Sequence, residues 1–286
     1  MAKQTLVFES PVELSLNGEM VLISNRQTGN NTLRSLEDIR LVVIDNRMVR
    51  ITVPLLTRLS ELNVGVVFCD DRHMPVSMLM DLDSNSLQSM RFQCQLAAKL
   101  PTNKQLWKQI VEAKIKNQSL LLENLGMGAS LLSPYYNNVK SGDSTNREGV
   151  AAKVYWKKLM GMEFIRDRYG VAPNGLLNYG YALLRAMVAR SLMSAGLLPS
   201  VGIHHCNRFD SFPLADDMME PYRPFIDRRV KTLMGKGVME VNREAKDGLL
   251  SVFYDDITAK ALSLSASTLA NVYEGTGKVV VFPNLQ

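Results

Sequence analysis

The sequence predicts an α+β chain, a small N-terminal β-sheet domain followed by a larger all-helical domain. Three observations carry this. Strand-length apolar runs dominate residues 1–80, a polar stretch breaks the pattern at 81–86, and apolar residues then recur at helical spacing through most of 87–286. At 286 residues the chain has room for two cores.

In the first part, Thr5 to Phe8, Val12 to Leu16 and Met20 to Ser24 read as short strands. Asn17-Gly18 between the last two is a hairpin signal, because both residues tolerate positive φ. Ile39 to Asp45 and Val64 to Cys69 read as buried strands, Pro54 to Glu61 as a helix with Leu55, Leu56 and Leu59 on one face, and Met74 to Met80 as a last strand. Asp81-Leu-Asp-Ser-Asn-Ser86 has turn chemistry and marks the domain boundary. Helices are expected over Leu87 to Leu100, Asn103 to Leu125, Asn146 to Tyr169, Asn174 to Ala195, Leu214 to Met234 and Arg243 to Leu264. Pro134 to Thr145 reads as loop. Lys278 to Phe282 reads as a short strand or a mobile tail.

Composition excludes several classes. Hydrophobic residues make up 46% and charged residues 21%, ordinary values for a globular chain. No run of 18 apolar residues appears, so no membrane span is expected. Met1 to Thr5 leads straight into a strand-like run without the apolar core of a secretory signal, so a cytoplasmic location is expected. Cys69, Cys94 and Cys206 are scattered and read as buried thiols, not as a disulfide framework or a zinc site. The net charge of +5 is uneven: residues 81–240 hold 21 basic and 14 acidic side chains, while both flanks are slightly acidic. Excess positive charge beside carboxylates suits a polyanion held near a metal.

Three segments of the helical part hold candidate chemistry. Thr145-Asn-Arg-Glu148 has the spacing of a capping box, in which Glu148 closes a helix start; a metal-ligand role needs a carboxylate in the same place. Gly202-Ile-His204-His205 holds two of the three histidines, and His73 reads as a surface residue. Leu214-Ala-Asp216-Asp217-Met-Met-Glu220-Pro-Tyr-Arg223-Pro224 places three carboxylates along one side of a helix that Pro221 and Pro224 should kink. An acidic first turn favoured by the helix dipole accounts for Asp216 and Asp217, less well for Glu220. One imidazole with two or three carboxylates suits Mg²⁺ or Mn²⁺ better than zinc, and a hard divalent ion in a basic domain suggests phosphodiester chemistry. Trp107, Trp156, Tyr179 and Tyr181 read as packing residues.

These segments resemble the CRISPR-associated integrase family Cas-one (Cas1), most closely its type II branch. The resemblance is carried by Asn146-Arg-Glu148-Gly-x-Ala-Ala, Pro173-Asn-Gly-Leu-Leu-Asn178-Tyr179-Gly-Tyr181-Ala-Leu-Leu, Gly202-Ile-His-His205 and Leu214-Ala-Asp-Asp217-Met-Met-Glu220-Pro-Tyr-Arg223-Pro224-x-x-Asp227. It covers almost the whole chain, and motifs in a fixed order are more specific than any one of them. The resemblance implies metal ligation and catalysis by Glu148, His205 and Glu220, with Asp217 and His204 as supporting neighbours. It implies an adaptation integrase whose 3′-hydroxyl transesterification inserts captured DNA into a CRISPR array, with DNA cleavage as related chemistry. It further implies a homodimer, the small partner Cas-two (Cas2), other type II CRISPR proteins as further partners, and a dimerisation and partner-contact role for the β domain. Arg147, Arg208, Arg223, Arg228 and Arg229 are the candidate DNA contacts.

Two alternatives stand beside this reading: a metal-dependent nuclease that only hydrolyses nucleic acid, and a non-catalytic DNA-binding scaffold. A two-carboxylate glycosidase is more distant, since it gives no reason for the basic domain or the histidine between the acids.

Overall fold

The computed structural model describes residues 4–25, 28–81, 83–128, 130–255, 257 and 259–286. Met1 to Lys3 of the expected leader-free start, and Leu82 of the expected boundary, lie outside them. The chain divides into two compact units, Met1–Leu82 and Asp83–Gln286. A small β-sheet unit therefore precedes a largely helical one.

The first unit has two four-stranded sheets. One is ordered β1 (Gln4–Phe8), β5 (Ile39–Ile44), β7 (Gly65–Cys69), β8 (Pro75–Met78), parallel except for the last pair. The other is ordered β4 (Asn31–Ser35), β3 (Met20–Ser24), β2 (Glu13–Asn17), β6 (Arg50–Ile51). Phe8, Leu14, Val21, Ile39, Val42 and Val66 join one core with Leu55 and Leu59 of α1 (Val53–Glu61). The β2–β3 hairpin forms, but Asn17 pairs with Met20 and the turn is Gly18-Glu19. Gly18 takes φ +59°, which a residue without Cβ adopts freely. Strand β4 escaped prediction because four of its five residues are exposed. Its pairing to β3 is backbone bonding without an apolar face.

The second unit is built on α3 (Leu100–Asn124), about 37 Å long at 1.5 Å per residue. Around it lie α2 (Gln88–Leu96), α4 (Ser133–Tyr136), α5 (Arg147–Met160), α6 (Asn174–Ser194), α7 (Pro213–Met219), α8 (Arg223–Gly235), α9 (Arg243–Asp255) and α10 (Ala259–Tyr273). The polar stretch before α2 is tied down: Ser84 Oγ donates to the Met193 carbonyl at 2.7 Å and Asn85 Nδ2 to that of Ser194 at 3.0 Å. Among the described residues no helix is long and apolar enough to cross a membrane.

Two expected helices and one expected loop need correction. The helix expected to reach Tyr169 stops at Met160, where Gly161 takes φ +107°. Met162, Ile165, Tyr169 and Val171 beyond it are exposed, so their helical spacing had no core to face. The helix expected over Arg243 to Leu264 is two, α9 and α10; Ile257 is buried between them and donates to the Val252 carbonyl at 2.8 Å. Pro134 to Thr145 is not all loop, since it holds most of α4 and a 3₁₀ turn at Ser141–Asp143. The kink at Pro221 does form, as a 3₁₀ turn Glu220–Tyr222 between α7 and α8. The tail is neither strand nor loose. Gln109 on α3 donates to the Lys278 carbonyl at 3.1 Å and accepts from Val280 N at 2.9 Å. Asn117 accepts from Leu285 N at 3.0 Å and donates to the carbonyls of Pro221 and Pro283 at 2.8 and 3.0 Å.

Candidate metal centre

Glu148 lies in the first turn of α5, yet it does not cap that helix. Asp143 does so, accepting from Arg147 N at 2.7 Å and Glu148 N at 3.0 Å. Asn146, at φ +50°, accepts from Gly149 N at 3.1 Å. Both supply the side-chain oxygen a helix start requires. The capping-box expectation for Thr145 and Glu148 is thus overturned. With its helix start closed by others, the Glu148 side chain reaches α3, where Oε1 accepts from Lys114 Nζ at 2.6 Å.

The histidine segment is held by one buried carboxylate. Asp217 on α7 accepts from the backbone N–H groups of Ile203, His204 and His205 at 2.6, 2.9 and 3.2 Å. It also pairs with His205 Nδ1 at 2.6 Å. A carboxylate accepts, so Nδ1 is assigned the proton, and whenever the ring is neutral its lone pair is on Nε2. The hydrogen bond to Asp217 raises the His205 pKa above its ordinary value, against burial. His204 is committed elsewhere: its ring lies flat on Trp107, centroids 4.1 Å apart, while His205 meets Trp107 edge-on at 5.8 Å. Trp107 is a core residue with one face used in this way. His73, in the other unit, is more than half exposed and pairs with Asp45 at 2.9 Å.

Glu220 stands at the α7–α8 kink with its side chain only 4% exposed. Oε2 is 2.6 Å from Lys114 Nζ, and Oε1 is 3.0 Å from Arg223 Nη2. Lys114 approaches Oε2 outside the direction a hydrogen bond needs. Burial would push the Glu220 carboxyl up, but Arg223 and Lys114 together hold it below its ordinary range. Burial likewise pulls Lys114 down, and Glu220 and Glu148 outweigh it, so the ammonium is held above its usual value. Asp216 takes no part in this cluster. Arg185 grips it at 2.8 and 3.0 Å, and burial, with a bond from Asp210, pushes its pKa up to about 6.

A second buried network backs the first. Asp227 accepts from Tyr155 Oη at 2.7 Å and Tyr181 Oη at 2.5 Å, and burial pushes its carboxyl up to about 6. Arg166 and Arg223 lie over the Tyr181 ring at 5.2 and 4.8 Å from its centroid, so Arg223 links this network to Glu220. The other arginines are dispersed. Arg208 is exposed and covers the exposed Phe209 at 4.7 Å, Arg228 donates to the Gln286 carbonyl at 2.6 Å, and Arg147 and Arg229 are half-buried.

Sequence reasoning missed Lys114, Asp143 and the stacking role of Trp107. Lys114 had a usable signal: it falls on the buried stripe Trp107, Ile110, Val111, Lys114, Ile115, Gln118, where a lysine is out of place. Among the described residues no three His, Cys, Asp or Glu side chains are gathered into a metal-ligand set. A lysine ammonium instead lies between the two glutamates. The donors nonetheless fit a hard divalent ion: two carboxylates meet at one cation, and a buried Glu220 oxygen lacks a well-directed hydrogen bond. Side-chain exposure rises from 4% at Glu220 to 26% at Glu148 and 43% at His205, a buried floor with an open rim.

Comparison with known proteins adds four findings. Residues 5–262 match the family model described as CRISPR associated protein Cas1. The chain is 35% identical over 276 residues to the CRISPR-associated endonuclease Cas1 of Neisseria meningitidis serogroup C strain 8013, covering 95% of this chain and 89% of the relative. Its fold is similar to that of a casposase bound to integration product, with TM-score 0.78 at 19% identity, covering 98% of this chain and 92% of that one. It is also similar to a chain of a Cas6-RT-Cas1–Cas2 complex, with TM-score 0.70 at 20% identity, covering 97% and 35%.

Proposed function

The chain belongs to the Cas1 family of CRISPR-associated proteins, and from that premise we propose that it is a metal-dependent DNA endonuclease and integrase of CRISPR adaptation. The observation that carries this reading is the convergence of Glu148 and Glu220, from separate helices, on one cation, beside a histidine whose tautomer Asp217 fixes. The relative's description as an endonuclease, and the fold shared with a casposase bound to integration product, support the reaction class.

Glu148, His205 through Nε2, and Glu220 would hold Mg²⁺ or Mn²⁺, which polarises a scissile phosphate and stabilises the leaving oxygen when bound. The chain's own residues prepare the site. Asp217 donates no proton; it orients the imidazole so that its free nitrogen faces away from the carboxylate. Trp107 and the buried floor at Glu220 keep water from one side, while the exposed edges of Glu148 and His205 leave the other side to substrate. Arg223, bound to Glu220 and lying over the Tyr181 ring, holds the acidic ligand against the kink. Exposed Arg208 is the candidate for phosphate outside the centre; Arg147, Arg228 and Arg229 would contribute less directly.

In this reading a 3′-hydroxyl of a captured duplex attacks a phosphodiester at a repeat end, exchanging one bond for another. Two ends must be joined, which favours a homodimer, and the fold match within a Cas1–Cas2 complex favours the small partner Cas2. Other type II CRISPR proteins are further candidates, and a soluble cytoplasmic setting suits a DNA substrate. The test supplies labelled duplex, a repeat-bearing target, Cas2 and Mn²⁺ to the native chain and to folded Glu148→Ala and His205→Ala. Joined products lost in both variants support the proposal. Fragments without joined products favour a nuclease. Full strand transfer by both variants removes these residues from the site.

A further inference from the structure

Lys114 is an unusual neighbour for two metal-ligand candidates. It projects from the buried stripe of α3, and its ammonium lies 2.6 Å from both Glu148 Oε1 and Glu220 Oε2. Arg223 meets the other Glu220 oxygen at 3.0 Å. Two carboxylates thus face two cations, and these four charges cancel. A divalent ion added to the same carboxylates would bring their sum to +2 in a place where Glu220 is almost fully buried, and unbalanced buried charge is costly.

One of the resident cations therefore has to yield, and the two differ. Arg223 is a planar fork with its guanidinium carbon over the Tyr181 ring, 4.8 Å from the centroid. Lys114 is a compact charge on a flexible four-carbon stem, and it meets Glu220 off the hydrogen-bonding direction. Its contact with Glu220 also uses the oxygen that a metal would need.

We propose that Lys114 is an internal counter-cation, holding Glu148 and Glu220 face to face in the metal-free protein and being displaced from them as the divalent ion loads. This rests on the metal reading of the site given above. Lys114 acts through the carboxylates and is a positioning residue. Two cations that compete for one pair of carboxylates are linked: whatever the lysine contributes to the metal-free state is subtracted from metal affinity. A lysine with a purely structural role would be compatible with the ion, and its loss would leave affinity unchanged or lower it.

The experiment is a titration of the full chain with Mn²⁺ alone, following free Mn²⁺ by electron paramagnetic resonance, with thermal melts in metal-free and Mn²⁺ buffers. In the native protein one Mn²⁺ site, lost in Glu220→Gln, is expected; if there is none, the metal reading itself fails. Given that site, Lys114→Met is expected to melt lower without metal, to bind Mn²⁺ at least about tenfold more tightly, and to gain more from Mn²⁺ on melting. Equal or weaker Mn²⁺ binding by Lys114→Met, with the native site intact, overturns the counter-cation while leaving the metal site standing. Lys114→Arg keeps the charge, so native or weaker affinity is expected, and tighter binding counts against the proposal. If Lys114→Met folds only with Mn²⁺ present, the proposal is supported; if Mn²⁺ does not restore it, the proposal is overturned.

Discussion

Gly202→Ala is the substitution whose consequence the geometry defines best. A Cβ at position 202 would stand 2.1 Å from the His205 carbonyl oxygen, 3.2 Å from its carbon, and 3.0 Å from Pro213 Cβ. A carbon–oxygen contact settles at about 3.3 Å or more, so roughly 1 Å must be opened against backbone, which cannot rotate aside as a side chain can. The backbone in the way is anchored, because Asp217 accepts from the N–H groups of three consecutive residues, Ile203 to His205. Moving it stretches charge-assisted hydrogen bonds that contribute about 1.5–3 kcal/mol each. The reduced freedom of the unfolded chain returns about 0.4–1 kcal/mol, too little to offset even one such loss. Expected are a loss of about 2 kcal/mol in stability and, since a 1 Å misplacement costs about a hundredfold, a fall of that order in turnover. The assay is single-turnover strand transfer of a labelled duplex into a repeat-bearing target with Cas2 and Mn²⁺, alongside a thermal melt. Gly235→Ala is the control, because its φ is not positive and nothing lies within 4 Å of the added Cβ, and neither stability nor turnover should fall. A Gly202→Ala protein with native melting and turnover within threefold of native would refute this account of the His205 loop.

Asp217→Asn should melt lower and lose about 10–100-fold in Mn²⁺ affinity, because an amide oxygen kept on the Ile203 and His204 N–H groups turns its NH₂ toward His205 N–H and Nδ1; a thermal melt and Mn²⁺ titration check this. Asn117→Ala should cost about 2–4 kcal/mol by leaving the Pro221 and Pro283 carbonyls and Leu285 N without their partner, read by urea unfolding. Asp227 sets a pH dependence. Its folded carboxyl keeps a proton up to about pH 6, against 3.8 ordinarily, so the native state carries the extra proton between those values. Its contribution to stability is complete below about pH 4 and is lost as pH rises through 6, a change of about 3 kcal/mol. The difference in unfolding free energy between native protein and Asp227→Asn, measured from pH 4 to 7, should show that slope; a flat difference counts against it.

Much of the fold was legible because its signals are local. Asn17-Gly18 marks a hairpin, and Pro221 and Pro224 interrupt one helix where the chain does kink. What failed was what spacing alone cannot carry. Met162, Ile165, Tyr169 and Val171 keep a helical rhythm but face solvent, and the break at Gly161 depends on a positive φ. Strand β4 has no buried face at all, so only its partner β3 makes it a strand. Lys114 was hidden among Lys104, Lys108 and Lys116 of one helix, distinguished only by falling on the buried stripe.

The acidic residues show where such legibility ends. Near Asp216, Asp217 and Glu220, repulsion demands compensation, and helix-dipole stabilisation of the first turn seemed to supply it. The structure compensates each differently: Arg185 for Asp216, three backbone N–H groups and His205 for Asp217, Lys114 and Arg223 for Glu220. Glu148 follows the same logic. Its spacing from Thr145 suits a cap, but once Asp143 and Asn146 close the helix, a cap is no longer needed and the carboxylate is available to a cation. What distinguishes these acids from one another is thus the group that compensates each charge. For Glu148 that group lies 34 residues away on another helix, beyond the reach of any local pattern.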